Sequence, residues 1–285
     1  MFTVQPRKDT LESLELRDED AKSFAVLAPT RGGMMSRLAL GGRHLFFLDE
    51  STLRDQTKNV RGGNPVLFPT PGKLVSNSWK RGVNHGSLPQ HGFGRNIAWE
   101  VAATGTDDGA WATLRLSSSE PTREDYPWDF VAEYTYKLRG SVMRIDQTFT
   151  NTGAGPMPFG AGFHPYFHVK QSEKAAARIE TAATRAFDNV AKKEVPFALD
   201  LAKPEVDLHL LDHGSKPIIL TWPAGKIAVR GSSEYSHFVV WTLAGKDFVC
   251  VEPWTSPSNA LNTGDRLLEL PPGEKRSLWV EYEAL

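Results

Sequence analysis

Strict alternation of apolar and polar side chains is the feature that most restricts this chain. In FVAEYTYKL, Phe130, Ala132, Tyr134, Tyr136 and Leu138 share one parity and mostly polar residues the other, which is the period of a strand with one face buried. The turn Arg139-Gly140-Ser141 leads into VMRIDQTFTN, where Met143, Ile145 and Phe149 alternate with Arg144, Asp146 and Thr148. The two segments therefore read as a hairpin. Short runs of the same kind recur at RLALGG, IAWEVAA, WATLRLS, IAVRG, HFVVWTL, DFVCVE and RSLWVEYEA. Their number in a chain of 285 residues predicts an all-β sandwich built as one domain over residues 1–285. Helical signal is thin. One turn is expected around residues 191–201, where Pro196 stops anything longer. The stretch 53–91, rich in Gly, Pro and Asn and weakly patterned, reads as a functional loop system, and the first fifty residues are expected to add strands to the sandwich.

Lys plus Arg (33) and Asp plus Glu (34) nearly cancel, so no basic field recommends nucleic acid or an anionic membrane as a partner. The single Cys250 offers neither a disulfide nor a thiolate cluster for zinc, and it reads as a small core residue. The N-terminus is charged and lacks the apolar core of a signal peptide, and no segment is long and apolar enough to span a bilayer as a helix. A cytoplasmic protein is the expectation.

Two titratable residues stand directly before prolines: His164 in GFHPYF and Glu252 in VCVEPW. Proline holds the preceding residue extended and cannot continue a hydrogen-bonded ladder, so both side chains belong on stiff backbone near strand ends. Period two puts Cys250 and Glu252 on one face. Burial raises a carboxyl pKa while an imidazolium lowers it, so a Glu and a His in one pocket can divide acid and base work near neutral pH. A core histidine bonded to backbone and an edge glutamate in a surface pair would use the same residues. In LPQHGFGRN, two glycines around Phe93 leave Gln90, His91 and Arg95 able to reach a common ligand. Arg61, Arg95 and Lys73 suit an anionic group, since guanidinium forks match phosphate oxygens. His164 and His168 have a zinc-motif spacing, but Pro165 argues against the helix it needs. The glycine-rich stretches match no nucleotide-phosphate loop, so no metal and no cofactor is expected. Trp254, just past Glu252, is placed in a pocket wall, where a flat ring can pack on the apolar face of a sugar.

Together, GFHPYF, VCVEPWTSPSNALNTGDRLLELPPGEKRSLWVEYE and LPQHGFGRNIAWEV resemble the aldose 1-epimerase (galactose mutarotase-like) superfamily from about Arg61 onward. RGGNPVLFP and QHGFGRN look most like the branch containing hexose-6-phosphate 1-epimerases, although Asn64 and Pro165 depart from that branch's Gly-Gly-Ile-Pro and His-Thr-Tyr-Phe. The resemblance implies a large antiparallel β-supersandwich with a sugar site on a concave sheet face. It implies His164 as general acid toward the ring oxygen, Glu252 as base on the anomeric hydroxyl, and His91 as a substrate ligand, with Arg61 and Arg95 at the positions of the branch's anion-binding arginines. It also implies a substrate-binding aspartate, for which Asp188 is the first candidate and Asp207 the second. The expected activity is interconversion of the α and β anomers of an aldohexose or its 6-phosphate. A non-catalytic sugar-binding protein on the same fold is the alternative, and a glycoside hydrolase or lyase the third reading; hydrolysis would need a second carboxylate.

Overall fold

A computed structural model describes residues 1–8, 10–214 and 216–285. The hairpin expected from alternation forms as Phe130–Arg139 and Val142–Asn151, in register from Phe130 opposite Asn151 to Arg139 opposite Val142, and Gly140 turns at φ +60°. Ala132, Tyr134, Tyr136, Leu138, Met143, Ile145 and Phe149 are all buried. This hairpin forms part of an eight-stranded antiparallel sheet in the order Arg178–Glu180, Ile218–Trp222, Gly225–Gly231, Lys275–Ala284, Val142–Asn151, Phe130–Arg139, Ala110–Ser117, Glu100–Gly105.

A second sheet runs Lys193–Pro196, Arg185–Asp188, Glu205–Leu210, His237–Leu243, Phe248–Trp254, Gly162–Phe163, Val66–Leu67, and Tyr166–His168 also pairs with Phe248–Trp254. Its inner face supplies Val206, Leu208, Leu210, Phe238, Val240, Val249 and Val251 to the main core. Aromatic rings close the gap between the sheets. Phe68 lies 5.0 Å from Phe130 and 5.5 Å from Phe149, and Phe163 lies 5.8 Å from Tyr134. The antiparallel sandwich expected from the sequence is the architecture observed.

Two segments differ from expectation. The turn expected at residues 191–201 is instead a strand, Lys193–Pro196, hairpinned onto Arg185–Asp188. Pro196 sits at its end, where a missing N–H costs the ladder nothing. Residues 1–50 do contribute strands, but five of them form their own meander, from Phe2–Lys8 to Arg43–His44, instead of extending either large sheet. From this meander, Arg31 reaches across to the short helix Glu50–Arg54 and the segment after it, donating to the carbonyls of Thr52, Leu53, Asp55 and Lys58. A buried guanidinium thus satisfies carbonyls that a five-residue helix leaves open.

Candidate active site

The outer face of the second sheet is built by parity. Asp207, Trp241, Cys250 and Tyr166 lie in one cross-strand row, and His209, Val239 and Glu252 in the next. His237, Trp254 and Gly162 form a third. The intervening residues of these strands feed the core, so polar side chains accumulate on the opposite face without costing core packing. Above this face lies a cavity of about 520 Å³. Loops close its sides: the segments 59–61, 72–75, 90–95 and 189–192 contribute Arg61, Lys73, Gln90, His91, Arg95, Asn189 and Lys192. Two of these wall segments lie in the stretch 53–91, and a third begins at its end.

His164 stands between the short strands Gly162–Phe163 and Tyr166–His168, its backbone N–H bonded to the Pro65 carbonyl (3.1 Å). Its ring stacks on Tyr166 at 4.6 Å and 10° and meets Trp241 and His91 edge-on. Its Nε2 is 3.4 Å from Glu252 Oε1, and the other Glu252 oxygen accepts from the Trp254 indole N–H (3.2 Å). Both members of this pair are buried. Burial pushes the Glu252 carboxyl well above its ordinary value, with Asp207 adding to the effect. Burial lowers the imidazole of His164 to about 3, and the Arg95 charge acts in the same direction. Both groups therefore favour their neutral forms in the free pocket.

His91 adopts a left-handed backbone (φ +70°). Its N–H donates to the Gly72 carbonyl (2.7 Å) and its Nδ1 accepts from the Gly72 N–H (3.0 Å). Because Nδ1 accepts, the ring proton sits on Nε2, on the side of the cavity that Gln90 also lines. Gly92, also at positive φ, packs so closely that a Cβ there would lie 2.2 Å from the Phe68 carbonyl oxygen. Arg95 donates to the Gln90 carbonyl (2.7 Å), while its Nε is buried without a partner. Burial lowers Arg95 to about 10, which leaves it charged at neutral pH. Arg61 is exposed at the rim, its guanidinium 5.6 Å from the Trp241 ring. His164 Nδ1 is a second buried atom without a partner. Buried polar groups ordinarily find partners, so two orphans lining one cavity suit a ligand rich in hydroxyls.

The cavity brings together His164, Glu252, His91, Gln90, Arg61, Arg95 and Trp254, but not Asp188. Asp188 pairs with Leu208, a core residue, whereas Phe187 pairs with His209. The Asp188 carboxylate accepts the N–H groups of Val190 and Ala191 (3.0 and 2.9 Å), closing a turn. Asp207 is the aspartate in the cavity wall. Burial opposes its ionisation, but hydrogen bonds from His209 and Asn189 outweigh this and hold its pKa low. Trp254 is nearly fully buried among His91, His209 and His237, and its indole N–H is held by Glu252. Trp241, also in the cavity wall, is only half-buried.

Sequence reading missed Tyr166, His209, His237 and Trp241 as pocket neighbours. The alternation in EVDLHLL carried the signal for one of them, because it sets His209 on the face of Asp207. Cys250 shares the floor, and its donor atom and those of His164 and Glu252 lie within 4.8 Å of one another. Burial and Glu252 push its thiol well up, and it packs with Tyr166 and Phe248 as a neutral group.

Comparison with known proteins bears on this arrangement. The sequence profile described as Aldose 1-epimerase matches residues 16–283. The crystal structure of Slr1438 protein from Synechocystis sp. PCC 6803 superposes with a TM-score of 0.93 at 34% identity, covering 100% of this chain and 99% of that one. Galactose 1-epimerase from Lactobacillus acidophilus NCFM shares the fold at a TM-score of 0.73 and 17% identity, covering 100% and 98% of the two chains. A Salmonella typhimurium protein named "Putative glucose-6-phosphate 1-epimerase" is 28% identical over 158 residues, which are 55% of this chain and 48% of that relative. The chain thus spans about half the length of that curated relative.

Proposed function

The chain belongs to the aldose 1-epimerase family, and from that premise we propose that it exchanges the α and β anomers of an aldohexose or a hexose 6-phosphate by opening and closing the sugar ring. The observation that carries this reading is the convergence of one imidazole and one carboxylate, His164 Nε2 and Glu252 Oε1, 3.4 Å apart on the cavity floor. In a pyranose, the anomeric hydroxyl oxygen O1 and the ring oxygen O5 are attached to the same carbon. An acid and a base that serve both must therefore sit side by side. A glycosidase separates its two carboxyl groups by about 5 Å or more.

Glu252 takes the proton from the O1 hydroxyl while His164 gives one to O5, and the C1–O5 bond breaks to leave an open aldehyde. Rotation about C1–C2 presents the other face of the carbonyl to the O5 hydroxyl. Ring closure returns one proton to His164, and Glu252 returns the other to O1. The protein ends as it began. The pair needs one proton shared between two sites, and the neutral pair and the ion pair differ only in where it sits. His91, with its proton on Nε2, donates to a sugar hydroxyl, and the Asp207 carboxylate accepts from another. A cavity of about 520 Å³ lies within the range of small-molecule sites.

Arg61 and Arg95, with Lys73 and Lys192 at the rim, favour an anionic substituent such as a 6-phosphate. Asn64, which departs from the phosphate branch, does not line the cavity. It is fully buried and donates from Nδ2 to the Tyr282 hydroxyl (3.1 Å), so its identity does not bear on phosphate recognition.

The test is anomer exchange at equilibrium by NMR with glucose, galactose and glucose 6-phosphate in parallel. Acceleration that disappears in Glu252→Gln supports the epimerase. Sugar binding without acceleration in the wild type would instead assign the site to carbohydrate capture. A preference for the phosphorylated sugar that vanishes in Arg61→Ala and Arg95→Ala would place the phosphate on those two side chains.

A further inference from the structure

Asp207 is the inner end of a hydrogen-bonded chain that runs from the cavity to the molecular surface. Its Oδ1 lies 3.3 Å from His209 Nε2, and its Oδ2 accepts from the Asn189 amide (2.7 Å). His209 Nδ1 is 2.9 Å from His237 Nε2, and His237 Nδ1 is 3.2 Å from Arg266 Nη2. Both histidines are buried against the Trp254 ring, at 5.5 and 5.7 Å.

A neutral imidazole carries one proton, so two of them in contact can be polarised in either direction, and nothing within the pair chooses. Arg266 chooses. A guanidinium has donors only, so His237 Nδ1 must accept and the proton of His237 must sit on Nε2. His209 Nδ1 must then accept in turn, which leaves its proton on Nε2, directed at Asp207. Burial favours the neutral form of His237, as do the neighbouring His209 and Arg266. The opposite polarity would set a bare His209 nitrogen against a carboxylate oxygen, with no proton between them.

We propose that Arg266, which touches no part of the cavity, is a positioning residue: it fixes the tautomers of His237 and His209 and so fixes the orientation of the Asp207 carboxylate that receives the sugar. The second half of this statement rests on the reading of Asp207 as a substrate ligand; the first half does not. Arg266 is held where it must be by its own contacts. It has a left-handed backbone (φ +50°), and it contacts the Ser236 carbonyl and the Asp265 carboxylate, both at 3.4 Å.

The experiment uses intact protein labelled with 15N-histidine. Long-range proton–nitrogen spectra report which ring nitrogen carries the proton, and His209→Gln and His237→Gln variants assign the signals. Without any sugar, wild type is expected to show both residues as Nε2–H tautomers. Arg266→Met is expected to mix or invert them, and Arg266→Lys, which keeps a donor-only group, to restore them. Wild-type His237 protonated at Nδ1, or tautomers unchanged in Arg266→Met, overturns the proposal, whether or not the protein proves to be an epimerase. Steady-state exchange tests the second half. Arg266→Met is expected to raise KM about tenfold, the size of one hydrogen bond to a charged group, with kcat within about twofold. Altered tautomers with an unchanged KM would overturn the link to the sugar.

Discussion

Two residues before prolines led to the centre of this site, and their chemistry is testable one side chain at a time. Glu252→Gln keeps the size of the side chain and an acceptor for the Trp254 N–H while removing the base. Anomer exchange is expected to fall by about 10²- to 10⁴-fold with the fold intact, read by NMR exchange and near-UV circular dichroism. Activity is expected to fall on the acid side, where the His164 and Glu252 pair takes a second proton, and on the alkaline side, where it loses its only one; a pH profile of kcat/KM measures both limbs. The aspartates separate cleanly. Asp207→Asn is expected to raise KM, whereas Asp188→Ala should cost about 1 kcal/mol of stability through the lost turn bonds and leave exchange unchanged. Equal effects of the two would refute the parity argument. His164 and Glu252 were legible because proline restrains the residue before it. Which aspartate lines the cavity was not legible, because choosing between 188 and 207 requires knowing which residue of the strand Arg185–Asp188 faces His209, and only the register decides that.

At the scale of elements, alternation identified the central hairpin and several of the longer strands, but it missed the strand Lys193–Pro196 and was silent on the segment after the helix Glu50–Arg54. That segment carries Arg61 into the cavity wall, and the remote side chain of Arg31 bonds to its Asp55 and Lys58 carbonyls as well as to two in the helix. No periodicity encodes such a contact, since an arginine in a turn is ordinarily solvated. Arg31→Met is expected to destabilise the protein by about 2 kcal/mol, the cost of leaving about one buried acceptor unpaired while the others find water. Faster amide exchange should be confined to residues 50–60. Protection unchanged there would show that the helix and its following turn hold themselves.

The whole molecule carries an acid sensitivity that follows from its buried histidines. His164 titrates near 6.5 when unfolded and near 3 when folded; burial shifts His91 and His237 in the same direction. Between those values the unfolded chain binds protons that the folded chain refuses, so stability falls as pH falls below about 6.5, by about 1.4 kcal/mol per pH unit for each fully shifted histidine. Glu252, with its raised value, works in the opposite sense but is one group against several, His213 among them. Urea midpoints are expected to drop from pH 7.5 to pH 5, and less steeply in His164→Gln; a flat profile would mean that the histidines are hydrated. The sandwich as a class was legible from strand count, but the order of its strands was not, because pairing between distant segments leaves no mark on local alternation. One such pairing has a consequence for how the chain is made. Lys275–Ala284, the most C-terminal strand, lies in the middle of the eight-stranded sheet, between Gly225–Gly231 and Val142–Asn151. Until that strand has emerged from the ribosome, the halves of that sheet present open edges to each other and to every other nascent chain. A premature stop or a frameshift anywhere upstream removes the keystone, so a truncated product fails as a whole and is left to the proteases.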